Sequence, residues 1–97
     1  MTRKAKPYIF SVNNLHGMLH LSRRTIRRYL REGKLEGRKI GRRWYIIDTN
    51  LKKFLDKDDN FNKIFGKGDK LKRLIEKDDY LRIFLYKFYN FDINSDK

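Results

Sequence analysis

The sequence predicts a mainly α-helical fold with a small β-hairpin and a C-terminal helical extension. Residues 11–32 hold two segments in which apolar residues recur at helical spacing after a capping serine. Residues 38–47 have the pattern of two short strands joined by a glycine turn. Residues 57–97 return to helical spacing, interrupted by glycines and aspartates.

The first two helices are marked by serines at their starts. Ser11 can cap a short helix. The apolar residues at helical spacing in that helix are Val12, Leu15 and Leu19. Ser22 can cap a second helix after a turn at His20-Leu21, and Leu21 can form a hydrophobic staple with Ile26. Two helices separated by so sharp a turn predict a helix-turn-helix.

The second helix has one apolar face and one basic face. At roughly 100° per residue, Ile26, Tyr29 and Leu30 share a face. Arginine occupies five of the nine positions from 23 to 31, on the opposite side and its flank: Arg23, Arg24, Arg27, Arg28 and Arg31. These guanidinium groups repel one another, so a facing polyanion is needed to offset the repulsion. Gly33 is expected to end the helix, because glycine tolerates the left-handed conformation.

A short basic hairpin follows the second helix. Its strands are residues 38–40 and 44–47, with Gly41 in the turn and Arg42 at the tip. We expect Trp44 to fill the core together with Ile46, and stacking of Trp44 on a base is the alternative.

Further helices are predicted after the hairpin. Asp48 or Thr49 can cap the next helix. Its core positions are Leu51, Phe54 and Leu55. The runs Lys57-Asp58-Asp59 and Lys77-Asp78-Asp79 are each followed by apolar residues at matching offsets. We interpret both as helix starts, with Asp at the positive end of the helix dipole, and we expect Asp69 to cap a helix between them.

The segment from Tyr80 to Phe91 is apolar at nine of its twelve positions. A helix that is apolar nearly all round must be buried, and a 97-residue monomer has little interior. We therefore expect a dimer interface. The residues expected in it are Leu81, Phe84, Leu85 and Phe88. The alternatives are packing back onto the N-terminal domain, a strand, and a membrane-surface role, which the scattered basic residues disfavour.

Positive charge is concentrated in the first half of the chain. Of the net charge of +13 at pH 7, residues 1–53 carry +12 (15 Lys and Arg against 3 Asp and Glu) and residues 54–97 carry +1 (10 against 9). Eight of the eleven arginines lie between Ser22 and Trp44. Arginine suits phosphate and the guanine edge because its planar fork donates two parallel hydrogen bonds. The first half is therefore predicted to bind a polyanion.

Length and composition set further bounds. We assign residues 1–9 to a basic arm, 10–56 to the helix-turn-helix domain, and 57–97 to a helical, aromatic-rich tail that serves dimerisation or packing. The absence of cysteine excludes disulfides and thiolate zinc fingers. No segment reaches the length of a membrane span, and the N-terminus lacks a signal-peptide core, so we expect a cytoplasmic protein without membrane partners.

Several motifs resemble the winged helix-turn-helix of the excisionase/MerR-like superfamily. They are Ser11-Val12 and the runs 21–26, 31–35 and 40–44, in the family's order and spacing, and the likeness covers about residues 8–55. The resemblance implies that the helix from Ser22 enters the major groove of DNA. It also implies that the hairpin tip at Arg42, the wing, lies in or along the adjacent minor groove.

The chain departs from that family at three places. His20 stands where glycine is usual, which predicts a strained or differently shaped turn. Leu15 and His16 stand where alanines are usual in the first helix. The tail beyond Leu55 lacks the long heptad pattern of MerR effector regulators, which argues against ligand sensing.

The expected DNA contacts come from both protrusions. The recognition-helix residues are Arg23, Arg24, Thr25, Arg27, Arg28 and Arg31. The wing residues are Arg38, Lys39, Gly41, Arg42 and Arg43. Ser22 and Lys34 are expected at phosphates, which supply most of the affinity. Arg24 and Arg28 are expected at base edges, and Arg42 in a narrow A·T-rich minor groove.

Two other classes of function compete with DNA binding. His16 and His20 are four residues apart, and the pairs Asp58-Asp59 and Asp78-Asp79 could hold magnesium for a nuclease. Helix starts explain the acidic pairs better and the histidines need not share a face, so we expect no enzyme, metal or cofactor. RNA binding fits a small basic protein, but most aromatic residues lie in the tail, away from the arginines.

These features together predict a double-stranded DNA-binding protein that acts as a homodimer or a head-to-tail oligomer. The expected role is that of an accessory factor of a bacterial plasmid or phage, such as an excision factor or a binder of a transfer (conjugation) or replication origin. A recombinase or a relaxase is the candidate protein partner. A small transcriptional repressor is the alternative.

Overall fold

The computed structural model describes residues 6–66 and 68–90. Its elements are β1 (Ile9–Ser11), α1 (Val12–Leu19), α2 (Arg23–Glu32), β2 (Arg38–Ile40), β3 (Arg43–Ile47), α3 (Asp48–Asp56), α4 (Asn60–Phe65), α5 (Lys70–Lys77) and α6 (Asp79–Tyr89). The predicted fold class, mainly helical with a small hairpin, is confirmed. Residues 1–5 of the predicted arm, and Phe91 of the last predicted helix, lie outside the described residues.

Both predicted serine caps are formed. Ser11 Oγ accepts a hydrogen bond from the Asn14 amide at 3.0 Å, and the Asn14 side chain accepts from the Ser11 amide at 2.9 Å, so α1 starts with a complete capping box. Ser22 Oγ accepts from the Thr25 amide at 3.1 Å at the start of α2. These bonds satisfy amides that a helix start would otherwise leave unpaired.

The turn between α1 and α2 is strained, as its sequence predicts. His20 ends α1 in the left-handed conformation, with φ 57° and ψ 38°. Its amide donates to His16 O at 3.0 Å, and the His16 ring Nδ1 lies 2.7 Å from Leu21 O. The turn therefore closes on hydrogen bonds at the cost of a conformation that a β-carbon disfavours.

The hairpin belongs to a three-stranded antiparallel sheet with the order β1-β3-β2. Ile9 pairs with Ile47, and Ile40 pairs with Arg43 at the wing. The assignment of Ile9 to the basic arm is therefore wrong, because Ile9 begins β1. Phe10, the middle residue of β1, is buried in the core and holds this strand in place.

Asp48 does not cap α3. The cap position belongs to Ile47, and no side chain makes a capping bond there. The carboxylate of Asp48 is instead fully buried, where it accepts a hydrogen bond from the Tyr8 amide at 3.0 Å. Leu51, Phe54 and Leu55 of α3 are buried as predicted.

The tail packs on the N-terminal domain instead of leaving a large interface for a second copy. α6 lies against α1 and α5, and Leu81, Phe84 and Leu85 are 0% exposed within a single chain. Phe88 is partly buried against the same core. The prediction that Leu81, Phe84 and Leu85 form a dimer interface is therefore wrong, because the protomer's own core already contains them. For Phe88, which is only partly buried, it stays a prediction. Packing of α6 back onto the N-terminal domain accounts for the apolar character of this helix.

The acidic helix starts of the tail differ from one another. Asp78 Oδ1 accepts from the Leu81 amide at 3.0 Å, which is the expected cap of α6. Asp59 and Asp69 occupy the cap positions of α4 and α5 without a side-chain capping bond.

Candidate nucleic-acid interface

The five arginines of α2 lie on the side of the helix away from the core, as the spacing of its apolar residues predicts, and we call this row the arginine ridge. Ile26 and Leu30 are buried against the core, and Tyr29 is partly buried. The side chains of all five ridge residues are exposed: Arg23, Arg24, Arg27, Arg28 and Arg31. A helix buried on one side and lined by guanidinium groups on the other presents a row of fork-shaped donors to an anionic surface.

Two ridge arginines are held by neighbours. Arg23 Nε donates to Asn13 Oδ1, which ties the start of α2 to the first turn of α1. Arg28 lies 4.0 Å from the Glu32 carboxylate and 5.5 Å from the centre of the Tyr29 ring. These contacts orient the two side chains, and they leave Arg24, Arg27 and Arg31 without an ion-pair partner among residues 6–66 and 68–90.

The hydroxyl groups at the start of α2 are engaged with each other. Ser22 Oγ donates to Thr25 Oγ1 at 2.9 Å and accepts from the Thr25 amide. Thr25 is half-buried, so it lies at the edge of the ridge and not on its crest.

The wing presents its basic residues around a tight turn. Gly41 adopts φ 65° between β2 and β3, a conformation that favours glycine, and Arg42 is exposed beside it. Lys39 pairs across the hairpin with Trp44, with its Nζ 5.9 Å from the Trp44 ring centre. Arg38 and Arg43 are exposed on the two strands.

Helix and wing meet at a shallow groove of about 300 Å³, here called the arginine groove. It is lined by Ser11, Val12, Asn13, Arg27, Arg42, Arg43 and Trp44. Three arginines from two separate elements converge there, and none of the three forms an ion pair within the described part of the chain. In a protein with no facing anion, such convergence raises the electrostatic energy, and a polyphosphate backbone lowers it.

The arginine groove includes residues that sequence reasoning did not assign to the site. Ser11 caps α1 and Asn13 lies in its first turn. The cap motif is a sequence signal for Ser11, but Asn13 lies outside that motif, which Ser11 forms with Asn14. Trp44 is partly buried against the core and also lines the groove.

Lys34 lies outside the arginine groove. Its Nζ is 3.3 Å from Glu32 and 5.7 Å from the centre of the Tyr29 ring. It lines a separate depression of about 490 Å³, together with Lys57, Asp58 and Lys63. The ammonium group therefore already has an anionic neighbour.

No group of three or more His, Asp or Glu side chains with the placement of metal ligands occurs in residues 6–66 and 68–90. Among the described helices, none has both the length and the apolar character needed to cross a bilayer.

Comparison with protein families identifies the family of the N-terminal half of the chain. The family model of the helix-turn-helix domain matches residues 10–59, which is about half of the chain. Neither the curated proteins nor the solved structures that were compared gave a match. The matched range contains α1, α2, the wing and α3, and the chain belongs to the helix-turn-helix domain family.

Proposed function

We propose that the protein binds double-stranded DNA by placing α2 in the major groove and the wing against the adjacent minor groove. The observation that carries this proposal is the arginine groove, where Arg27 of the helix and Arg42 and Arg43 of the wing converge without an ion-pair partner among the described residues. Two protrusions separated by one groove match a duplex, in which a phosphate backbone separates the major and minor grooves.

The residues divide into two proposed roles. Arg24 and Arg28 read base edges from the ridge, and Arg42 enters the minor groove, where narrow A·T tracts concentrate negative potential. Contacts to phosphates come from Arg23, Arg27, Arg31, Arg38, Lys39 and Arg43, with weaker ones from Ser22, Thr25 and Lys34. Gly41 lets the wing tip approach the backbone closely, because it carries no side chain.

The biological role that we propose is that of an accessory DNA-binding factor of a plasmid or phage, related to the excisionase/MerR-like winged proteins. The packing of α6 against α1 supports this role over that of an effector-controlled regulator, because the tail completes the core of the DNA-binding domain. Such a factor acts by marking or shaping a DNA site for another protein, for which a recombinase or a relaxase is the candidate.

The test of DNA binding compares matched arginine substitutions in fluorescence anisotropy with a mixed-sequence duplex. We expect Arg27→Gln combined with Arg42→Gln to weaken binding about 10–100-fold and to reduce the slope of log affinity against log salt by about 2. Arg73→Gln, which removes one exposed arginine from α5, is the control, and Arg73→Gln combined with Arg82→Gln matches the charge lost.

Several results would contradict the proposal. A flat salt response of the wild type, or equal losses for the groove and tail variants, would mean that the arginine groove is not the interface. Preference for structured RNA over duplex at equal salt would indicate an RNA-binding protein. Nicking of supercoiled plasmid with Mg²⁺ would indicate a nuclease. Footprinting on the DNA that flanks its own gene tests the role, because repeated sites outside promoters fit an accessory factor and a promoter site fits a repressor.

A further inference from the structure

The last turns of α2 carry a compact network around one arginine of the ridge. Glu32 Oε2 lies 4.0 Å from Arg28 Nε, and Glu32 Oε1 lies 3.3 Å from Lys34 Nζ. The central carbon of the Arg28 guanidinium group and Lys34 Nζ lie 5.5 and 5.7 Å from the centre of the Tyr29 ring. The same two cations thus share one carboxylate and one aromatic ring, and we call these four residues the Arg28 network.

The Arg28 network is anchored in the core of the domain. The Tyr29 ring is partly buried and packs on Phe54 of α3, with ring centres 5.5 Å apart. The backbone of Lys34 is fixed as well, because its amide donates to Tyr29 O at 2.9 Å where α2 ends. A side chain whose partners are themselves fixed keeps one direction before it meets a ligand, and it loses less conformational entropy on binding.

The other arginines of the ridge differ from Arg28 in their support or in their place on the helix. Arg23 is held by Asn13. At roughly 100° per residue, however, it lies about 140° round the helix from Arg28, on the same flank as Arg27, which lines the arginine groove. The remaining arginines of the ridge have no ion-pair partner in the described part of the chain: Arg24, Arg27 and Arg31. Arg28 therefore combines a fixed orientation with a place away from the arginine groove.

The contact with Glu32 uses the inner nitrogen of the Arg28 guanidinium group. Because Glu32 approaches Nε, the outer nitrogens Nη1 and Nη2 can donate two parallel hydrogen bonds to a further acceptor. The O6 and N7 atoms of guanine accept such a pair of bonds, which is the commonest base-specific contact in the major groove. An arginine without a fixed direction bonds as readily to phosphates, which carry no sequence information.

We propose that Arg28 reads a guanine in the DNA site, and that Glu32 is the positioning residue that makes this arginine prefer guanine. This inference rests on the proposed function. The charge of Glu32 repels phosphate, so it lowers affinity for every sequence. The direction that Glu32 imposes on Arg28 favours only the duplexes with guanine at the matching position, so it raises specificity.

The first experiment selects DNA sites from a library of random duplexes with the full chain. We expect the enriched duplexes to share a guanine whose replacement by 7-deazaguanine, which lacks the N7 acceptor, weakens wild-type binding about fivefold or more. Arg28→Lys should lose this sensitivity to 7-deazaguanine, because an ammonium group lacks the planar fork of arginine. Arg24→Lys should keep it, because Arg24 is not part of the Arg28 network.

Glu32→Gln separates a positioning role from a simple effect of charge. We expect it to bind unselected duplexes about 3–10-fold more tightly than the wild type, and its sensitivity to 7-deazaguanine to fall about threefold. Glu36→Gln is the matched control, because it makes the same charge change at an exposed glutamate that forms no ion pair within the described residues. It should keep the sensitivity of the wild type.

The outcomes distinguish this inference from the proposed function. Enriched duplexes without a guanine that responds to 7-deazaguanine would overturn the inference. So would unchanged sensitivity in Arg28→Lys, or equal sensitivity in Glu32→Gln and Glu36→Gln. Each of these results is compatible with salt-dependent binding to duplex DNA. Failure of the wild type to bind any duplex, selected or not, would contradict the proposed function and this inference with it.

Discussion

Lys87 Nζ lies 2.8 Å from the buried Oδ2 of Asp48. Asp48 is the first residue of α3, directly after the wing strand β3, and Lys87 is near the end of α6. The same carboxylate oxygen accepts from the Tyr8 amide, and Lys87 also donates to Lys6 O at 3.0 Å. One ion pair thus connects the start of the sheet, the base of the wing and the last helix, so the tail is part of the DNA-binding unit.

Lys87→Met should destabilise the fold by about 2–4 kcal/mol. The substitution keeps most of the aliphatic side chain and removes the cation, which leaves the Asp48 carboxylate buried without a counter-charge. The expected loss is below that of a fully buried pair because the Lys87 side chain is 21% exposed. Urea unfolding measures the change in the free energy of unfolding, and Lys77→Met, at an exposed lysine of α5, is the matched control.

The stability of the double variant tests whether the pair is the cause. Asp48→Asn in the Lys87→Met background removes the uncompensated charge, so we expect it to recover part of the loss. No recovery, or an equal loss for Lys77→Met, would indicate that lost packing and not the buried charge explains the effect.

Phe84→Ala should destabilise the protein by about 3–5 kcal/mol, because Phe84 is fully buried and packs on Phe10 with ring centres 6.3 Å apart. Tyr86→Ala, on the exposed side of the same helix, should change the free energy of unfolding by less than about 0.5 kcal/mol. Thermal and urea unfolding at low protein concentration distinguish this result from loss of a dimer, in which stability would depend on concentration.

The features that could be predicted from the sequence are local. The serine caps, the glycine turn of the wing and the phase of α2 depend on residues within four positions of one another, and each is found as predicted. The convergence of Arg27 with the wing follows from those elements once the helices pack together.

The features that could not be predicted depend on distant residues. β1 has three residues and is defined only by its pairing with β3, through Ile9 and Ile47. The burial of Asp48 depends on partners 39 and 40 residues away. The inward packing of α6 could not be distinguished from dimerisation, because an apolar helix has the same pattern in both cases.

Glu32→Gln should increase affinity for DNA about 3–10-fold at low salt. The carboxylate lies 4.0 Å from Arg28 Nε and 3.3 Å from Lys34 Nζ, so it holds two of the basic groups proposed to contact DNA and repels phosphate itself. The gain should shrink as salt is raised, because these groups are exposed. Glu76→Gln in α5 is the control with the same charge change. An equal gain in affinity for both variants would mean that net charge alone, and not the contacts of Glu32, explains the effect.

His20→Gly should stabilise the protein by about 0.5–1 kcal/mol, because His20 holds a left-handed backbone at φ 57° that glycine adopts without strain. Gly33→Ala is the converse change, since Gly33 ends α2 at φ 79°, and it should cost about 1 kcal/mol. Apart from its chain neighbours and its own helix backbone, no described residue has an atom within 4 Å of the place a β-carbon would take at Gly33, so this cost reports the backbone alone. Chemical unfolding measures both, and changes of the same sign would contradict the strain assigned to the inter-helix turn.

Tyr89 gives the stability of the tail a dependence on alkaline pH. Burial, followed by the hydrogen bond from its hydroxyl to Asp56 Oδ1 at 2.9 Å, raises the pKa of Tyr89 well above its ordinary value of 10.0. On the other side of this contact, the hydrogen bond from Lys52 holds the pKa of Asp56 below its usual value.

Because the folded-state pKa of Tyr89 is the higher one, its contribution to stability is fully present below the unfolded-state pKa of 10.0 and is lost as pH rises through the folded-state pKa. We expect one tyrosine to ionise after the others in an absorbance titration, and this late step to vanish in Tyr89→Phe. The free energy of unfolding of Tyr89→Phe should also fall less steeply above pH 10.0 than that of the wild type. Tyr86→Phe, which removes an exposed hydroxyl from the same helix, is the control. Loss of the late ionisation step in Tyr86→Phe would show that this step does not belong to Tyr89.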